Sequence, residues 1–285
     1  MTAAAMEATS IDANGLRFDA LCAGPADGAL VLLLHGFPQT AHSWRRVASG
    51  LARAGYRAVA PHLRGVSPGA RPLAREAYGT PHLVADVIGI ADALGAQHSH
   101  LVGYDWGGAL AWRVAERHPD RLRSLAVAST PHPLAFRRAL EDPSADQAQR
   151  SGYMAVFRTE GAGEDMWLGR GVAGLREIYA AAGLSEEEAA PCVAAFSERS
   201  TLTAFLNWYR AGDPADPAAG PVATPSLYVW STGDPALGRE AAEWTRDHVL
   251  GEYRFEVFEG VDHWIPEHAA ERFTALLLDH LVKHD

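Results

Sequence analysis

The chain has 285 residues, 48% hydrophobic and 21% charged, which is ordinary for a globular protein that buries a full core. Its formal net charge of -10 argues against nucleic acid or an anionic membrane as a partner, because both repel a negative surface. The two cysteines, Cys22 and Cys192, suggest no disulfide framework, and we expect neither a signal peptide nor a membrane span, hence a cytoplasmic protein.

The first part of the chain alternates short apolar stretches with amphipathic ones. Four apolar stretches are typical of buried strands and lie at residues 30–34, 57–60, 98–102 and 122–128. Apolar residues at helical spacing predict three helices, at residues 43–54, 83–94 and from the end of the third strand to about residue 118. This alternation predicts an α/β fold with a doubly wound, mostly parallel sheet and helices on both faces.

The pattern changes after Pro131-His132-Pro133, and the chain is then helix-like to about residue 212. A proline-rich linker at residues 213–225 follows, after which the alternation resumes. Its elements are a strand at 227–230, a helix at 239–249, a strand at 254–258 and a final helix from about residue 266. We therefore predict an α/β core formed by residues 1–133 and 219–285, interrupted by a helical cap at residues 134–218.

The most informative segment is Gly103-Tyr104-Asp105-Trp106-Gly107-Gly108, which links the third strand to a helix. A sharp turn of this layout is the nucleophile elbow, where the central residue is usually Ser. A carboxylate there can attack carbon directly and form an alkyl ester. Taken alone, Asp105 is equally well explained as a helix N-cap. The segment lacks the second glycine of a dinucleotide-binding loop, and Asp105 would repel a phosphate, which excludes that alternative.

Two further groups follow later strands of the predicted sheet. Asp234 comes directly after the strand at 227–230, and His263 comes after the strand at 254–258. Because parallel strands end at one edge of a sheet, these side chains can meet Asp105 there in the chain order of the α/β-hydrolase triad. Asp234 precedes a proline and taken alone is a natural turn residue. Asp262 is a rival acid that we discount, because neighbouring side chains usually point apart.

The segment His35-Gly36-Phe37-Pro38 follows the first predicted strand. In this fold, a backbone N–H from this loop and one from the residue after the nucleophile form the oxyanion hole. We therefore predict that the N–H groups of Phe37 and Trp106 form it.

These motifs resemble those of the epoxide hydrolases of the α/β-hydrolase fold over nearly the whole chain. The resemblance implies two cap tyrosines that hold the epoxide oxygen. One is Tyr153, in Ser151-Gly152-Tyr153-Met154, and the other is Tyr209, in Asn207-Trp208-Tyr209-Arg210. Aromatic packing in a helical bundle is the alternative role for each. The sequence departs from the family at Tyr104, where His is common, and at His62, where Asp is usual.

The resemblance implies hydrolysis of an epoxide to a vicinal diol by Asp105, Asp234 and His263, without metal or organic cofactor. We expect a pocket between core and cap that His35, Pro38 and Trp208 help to line, together with Phe37 and Trp106. The expected partners are a small apolar epoxide and water, and the expected state is a monomer or homodimer.

Two other functions stay open. A haloalkane or haloacid dehalogenase would use the same Asp105 nucleophile, and the indole of Trp106 could hold a halide. However, haloalkane dehalogenases commonly have Asn where this chain has Phe37, and a halide needs no phenol for protonation. A non-catalytic protein that binds a small apolar ligand is the alternative from another class.

Overall fold

A computed structural model describes residues 6–285, and its centre is one twisted sheet. Within that range the sheet has eight strands in the order β1-β2-β4-β3-β5-β6-β7-β8. The strands are β1 (Glu7–Ala13), β2 (Leu16–Ala23), β3 (Leu30–Leu34), β4 (Arg57–Pro61), β5 (Ser99–Tyr104), β6 (Leu122–Ala128), β7 (Ser226–Ser231) and β8 (Tyr253–Phe258). From β4 to β8 all neighbours are parallel, whereas β1 and β2 are antiparallel. The predicted fold class, α/β with a mostly parallel sheet, is confirmed.

The hairpin of β1 and β2 is the part of the sheet that the sequence analysis missed. Ala13 pairs with Leu16, so the loop is only Asn14-Gly15, and both residues have positive φ, 53° and 74°. Asn-Gly is the preferred pair for such a two-residue turn, because these residues tolerate left-handed backbone. The Asn14-Gly15 dipeptide therefore predicts this hairpin from the sequence.

Helices cover both faces of the sheet. The core helices are α1 (Arg45–Arg53), α2 (Thr80–Ala93), α3 (Trp106–Arg117), α11 (Arg239–Trp244), α12 (Ile265–His268) and α13 (Ala270–Lys283), and a short 3-10 turn, Thr245–His248, follows α11. Strand β3 shows how the two faces divide. Val31 and Leu33 pack in the apolar cluster that contains α1 and α13, and Leu32 and Leu34 pack in the cluster that contains α2 and α3. Successive residues of a strand point to opposite faces, so a strand buried on both sides is apolar throughout.

A run of helices between β6 and β7, which we call the helical insertion, lies outside the sheet. It consists of α4 (Pro133–Glu141), α5 (Gln147–Arg150), α6 (Tyr153–Arg158), α7 (Ala162–Leu168), α8 (Gly171–Ala181), α9 (Glu186–Phe196) and α10 (Arg199–Ala211). The two connections of the insertion to the core are tied together, because Nε2 of His132 lies 3.1 Å from the carbonyl oxygen of Gly220. Across residues 6–285, no helix is both long and apolar enough to cross a bilayer.

Candidate active site

Asp105 occupies a strained turn between β5 and α3. Its φ of 52° and ψ of -123° lie where a non-glycine residue is rarely found. Close approach of the flanking backbone makes the turn possible: a Cβ atom on Gly103 would lie 2.2 Å from the carbonyl oxygen of Gly107. A Cβ atom on Gly107 would in turn lie 2.1 Å from the carbonyl oxygen of Leu34. The glycines therefore let the elbow project Asp105 beyond the edge of the sheet.

The two carboxylate oxygens of Asp105 have different neighbours. Oδ1 accepts a hydrogen bond of 2.7 Å from the backbone N–H of Phe37, while Oδ2 lies 3.4 Å from Nε2 of His263. The loop that carries Phe37 can come this close because its neighbour is glycine: a Cβ atom on Gly36 would lie 2.6 Å from Oδ1. Oδ1 is thus held by the backbone, and Oδ2 faces the imidazole.

The imidazole of His263 lies between the carboxylates of Asp234 and Asp105. Nδ1 of His263 lies 2.6 Å from Oδ2 of Asp234, whose other oxygen accepts hydrogen bonds from the N–H groups of Ala236 and Leu237 at 2.8 and 3.0 Å. The rival acid, Asp262, bonds elsewhere: one of its oxygens accepts from the N–H of Trp264 and also contacts His268.

The electrostatics of His263 follow from its position between two carboxylates. Burial alone would lower its pKa, but the negative charges of Asp234 and Asp105 and the hydrogen bonds to them outweigh burial and raise the pKa to about 10. His263 is therefore an imidazolium at neutral pH as long as both carboxylates are charged.

Tyr153 and Tyr209, on α6 and α10 of the helical insertion, line the same cavity as Asp105. The two phenols are close enough to influence each other's pKa, and the ring of Tyr209 packs edge-on against the indole of Trp106, with centroids 4.8 Å apart. Burial and the nearby charge of Asp105 raise the pKa of both phenols well above the usual range. Both tyrosines consequently keep their protons at neutral pH and can donate them.

A cavity of about 30 Å³ separates these groups. It is lined by Asp105, Trp106, Ala109, Thr130, Phe136, Tyr153, Met154, Tyr209, Pro214, Ala236 and Leu237. Its surface is mostly apolar, with the carboxylate, one hydroxyl and the two phenols as the polar groups. A space this narrow holds roughly one or two waters, so a larger molecule requires side-chain or helix movement to enter.

Four residues that the sequence analysis assigned to the pocket, His35, Phe37, Pro38 and Trp208, lie outside this lining, whereas Trp106 belongs to it. The imidazole of His35 is buried and accepts a hydrogen bond from the N–H of Leu63, and the carbonyl of Pro38 accepts one from the hydroxyl of Tyr179. Trp208 is fully buried behind Trp106, with ring centroids 5.7 Å apart. These residues support the loop and the wall of the site from behind.

Comparisons with known proteins identify the family of this chain. A family model described as the alpha/beta hydrolase fold matches residues 29–161. Epoxide hydrolase A of Mycobacterium tuberculosis is 32% identical over 95% of this chain and 96% of that protein. Epoxide hydrolase 4 of Mus musculus is 31% identical over 93% of this chain and 76% of that protein. This chain belongs to the α/β-hydrolase fold epoxide hydrolases.

Solved structures of this family superpose on nearly the whole chain. The crystal structure of epoxide hydrolase A from Mycobacterium thermoresistibile has a TM-score of 0.85 and 28% identity, and covers 98% of this chain and 99% of that one. The resemblance stated from the sequence is therefore confirmed at the level of the family, whose members are hydrolases that act on ether bonds.

Several residues that support the site have no sequence motif. The ring of Tyr104 lies 5.1 Å from that of His263, so the residue that departs from the family pattern packs directly on the imidazole. Gln147 bonds the loop that follows Asp234: its amide nitrogen donates to the carbonyl of Ala236 at 2.7 Å, and its oxygen accepts from the N–H of Gly238 at 2.7 Å. Only the position of Tyr104 beside Asp105 could have drawn attention from the sequence.

Proposed function

We propose that this chain hydrolyses a small apolar epoxide to a vicinal diol through an ester on Asp105. The observation that carries the proposal is that the carboxylate of Asp105 and the protonated phenols of Tyr153 and Tyr209 line one cavity. A three-membered ether ring opens when a nucleophile attacks carbon while an acid assists the departing oxygen. The cavity supplies both groups at once.

In the first half-reaction, Oδ2 of Asp105 attacks a ring carbon, and the C–O bond of the ring breaks. Because the amide of Phe37 holds Oδ1 at 2.7 Å, Oδ2 is the oxygen left for attack. The departing oxygen takes a proton from the phenol pair of Tyr153 and Tyr209. The product is a neutral ester whose carbonyl oxygen is Oδ1.

In the second half-reaction, His263 gives its proton to the phenolate left on the tyrosine pair and, now neutral, removes a proton from water, and the hydroxide attacks the ester carbon. The charge that develops on Oδ1 is stabilised by the N–H of Phe37 and by that of Trp106, which is among the first helical N–H groups and has no partner within its helix. Asp234 orients the imidazole through the 2.6 Å contact to Nδ1. The bond between the ester carbon and Oδ2 then breaks, Oδ2 takes the proton of the attacking hydroxide and leaves as a hydroxyl of the diol, and Asp105 regains its charge with an oxygen from water.

The surroundings of Trp106 favour an epoxide over a haloalkane. A dehalogenase needs the indole N–H to face the departing halide, whereas here the phenol ring of Tyr209 packs edge-on against the indole, with centroids 4.8 Å apart. The phenols would also be idle in dehalogenation, since a halide leaves without a proton. In a panel of substrates, we expect the protein to release diol from styrene-type epoxides and to release no halide from haloalkanes.

The decisive experiment is intact-mass analysis of His263→Gln after mixing with an epoxide. We expect a covalent adduct on Asp105, because attack survives while ester hydrolysis is lost. His268→Gln is the matched control, since this nearby histidine contacts Asp262 and not the acid Asp234, and we expect normal turnover without adduct. Asp105→Asn should give no adduct. Full turnover by His263→Gln, with no adduct, would contradict the proposal.

A further inference from the structure

The two phenols are carried by different helices of the helical insertion, so their spacing depends on how α6 and α10 are joined. Tyr153 is the first residue of α6, and Tyr209 lies near the end of α10. Phe157 lies one turn after Tyr153, and its ring contacts both phenols, with centroids 5.2 Å from Tyr153 and 5.1 Å from Tyr209. A contact that holds the backbone at Phe157 therefore also helps to hold the rings of Tyr153 and Tyr209 in position.

Arg210 makes that connection. Its Nε donates to the carbonyl of Phe157 at 3.1 Å, and Nη2 donates to the carbonyl of Thr159 at 3.3 Å, so it bonds the chain at the carboxyl end of α6. Arg210 is also the residue directly after Tyr209. The side chain of Arg210 thus links the backbone next to Tyr209 with the backbone of Phe157, one turn after Tyr153.

The guanidinium is itself held by Glu164 of α7. Nη1 and Nη2 of Arg210 lie 2.9 and 2.8 Å from Oε1 and Oε2 of Glu164, a paired geometry with both side chains only 3% exposed. Thr203 of α10 donates a further hydrogen bond of 2.8 Å to Oε1. Burial opposes the charge of Glu164, but these hydrogen bonds outweigh it and lower the pKa of the carboxyl to about 2. The pair is therefore charged and fixed in direction.

We propose that Arg210, held by Glu164, is a positioning residue that sets the spacing of the Tyr153 and Tyr209 hydroxyls for the epoxide oxygen. The inference rests on the proposed function and adds to it, because neither residue touches the cavity. Ring opening needs both phenols in place, whereas ester hydrolysis uses groups carried by the core. Loss of the pair should accordingly slow the first half-reaction and leave the second unchanged.

The test compares the two half-reactions in Arg210→Lys. Ring opening is measured as the rate of adduct formation in the His263→Gln background, and ester hydrolysis as the decay of the adduct in the single Arg210→Lys variant after rapid mixing. We expect ring opening to slow about 10- to 100-fold, since displacement of a catalytic group by about 1 Å can cost that much. The decay of the ester should keep its rate.

Arg199→Met is the matched control. Arg199 also joins α10 to α7, through Asp165 at 3.0 Å, but both side chains are more than half exposed. We expect both half-reactions to keep their rates in this variant. Glu164→Gln leaves Arg210 and its backbone contacts in place and should slow ring opening by a smaller factor; it carries the test if Arg210→Lys does not fold.

The outcomes are distinct. A merely structural role would reduce the fraction of active protein or slow both half-reactions alike, and that result would overturn the inference, as would ring opening at the rate of the parent protein. If no adduct forms even with Arg210 intact, the proposed function fails instead.

Discussion

Replacing Gln147 with alanine tests whether the helical insertion holds the loop of the triad acid. The side chain is fully buried and makes three hydrogen bonds, to Ser151, to the carbonyl of Ala236 and from the N–H of Gly238. Each contributes about 1 kcal/mol net, and their loss leaves buried backbone groups without partners. We expect the free energy of unfolding to fall by about 3 kcal/mol.

The assays are urea denaturation at equilibrium for the free energy, thermal unfolding for the midpoint temperature, and steady-state diol formation for activity. At about 2 °C or more per kcal/mol for a chain of this size, the unfolding midpoint should fall by about 6 °C. The same change should lower kcat about tenfold, because Ala236 and Leu237 donate to Oδ1 of Asp234 and move with the loop. Gln149→Ala, on the exposed side of the same helix, should stay within about 0.5 kcal/mol of the parent protein. A Gln147→Ala variant as stable as that control would refute the reasoning.

Two further predictions concern the phenol of Tyr209 and the partly buried His62. Tyr209→Phe keeps the ring packed 4.8 Å from that of Trp106 but removes the hydroxyl donor. We therefore expect kcat/KM for an epoxide to fall about 100-fold or more, without loss of stability. A fall of less than about threefold would exclude the role assigned to Tyr209. Burial and the nearby His42 lower the pKa of His62 to about 4 in the folded protein. As the pH falls below about 6.5, His62 is protonated in the unfolded chain but not in the folded protein, so stability is lost between about pH 6.5 and 4. His62→Gln should recover about 1–2 kcal/mol of the stability lost between pH 7 and pH 5, measured by urea denaturation, and an unchanged loss would show that other groups cause it.

The parts of this enzyme that the sequence predicts are those set by local pattern or by strand topology. The elbow at Asp105 follows from an apolar strand with glycines at fixed spacing. The approach of Asp234 and His263 follows from parallel strands, which end at one edge. The hairpin at Asn14-Gly15 had an equally local signal, which went unused.

The remaining features depend on packing between distant segments. Trp208 and Tyr209 are neighbours on α10 and point about 100° apart, so only one of them can face the cavity. Trp208 is held away from the cavity because its ring stacks on Phe205 and its N–H donates to the carbonyl of Arg64, so Tyr209 faces the cavity. Gln147 likewise meets its partners across 89 and 91 residues of chain, which no local pattern encodes.

The position of His263 between two acids has a consequence for the timing of the proposed cycle. While Asp105 is charged, it helps to keep the imidazole protonated, and a protonated ring cannot take a proton from water. Once Asp105 carries the alkyl group, its charge disappears and one of the causes that hold the proton on the ring disappears with it. Formation of the ester therefore lowers the pKa of His263 and favours the neutral imidazole that the proposed hydrolysis needs, whereas the charged Asp105 of the free enzyme favours the protonated ring.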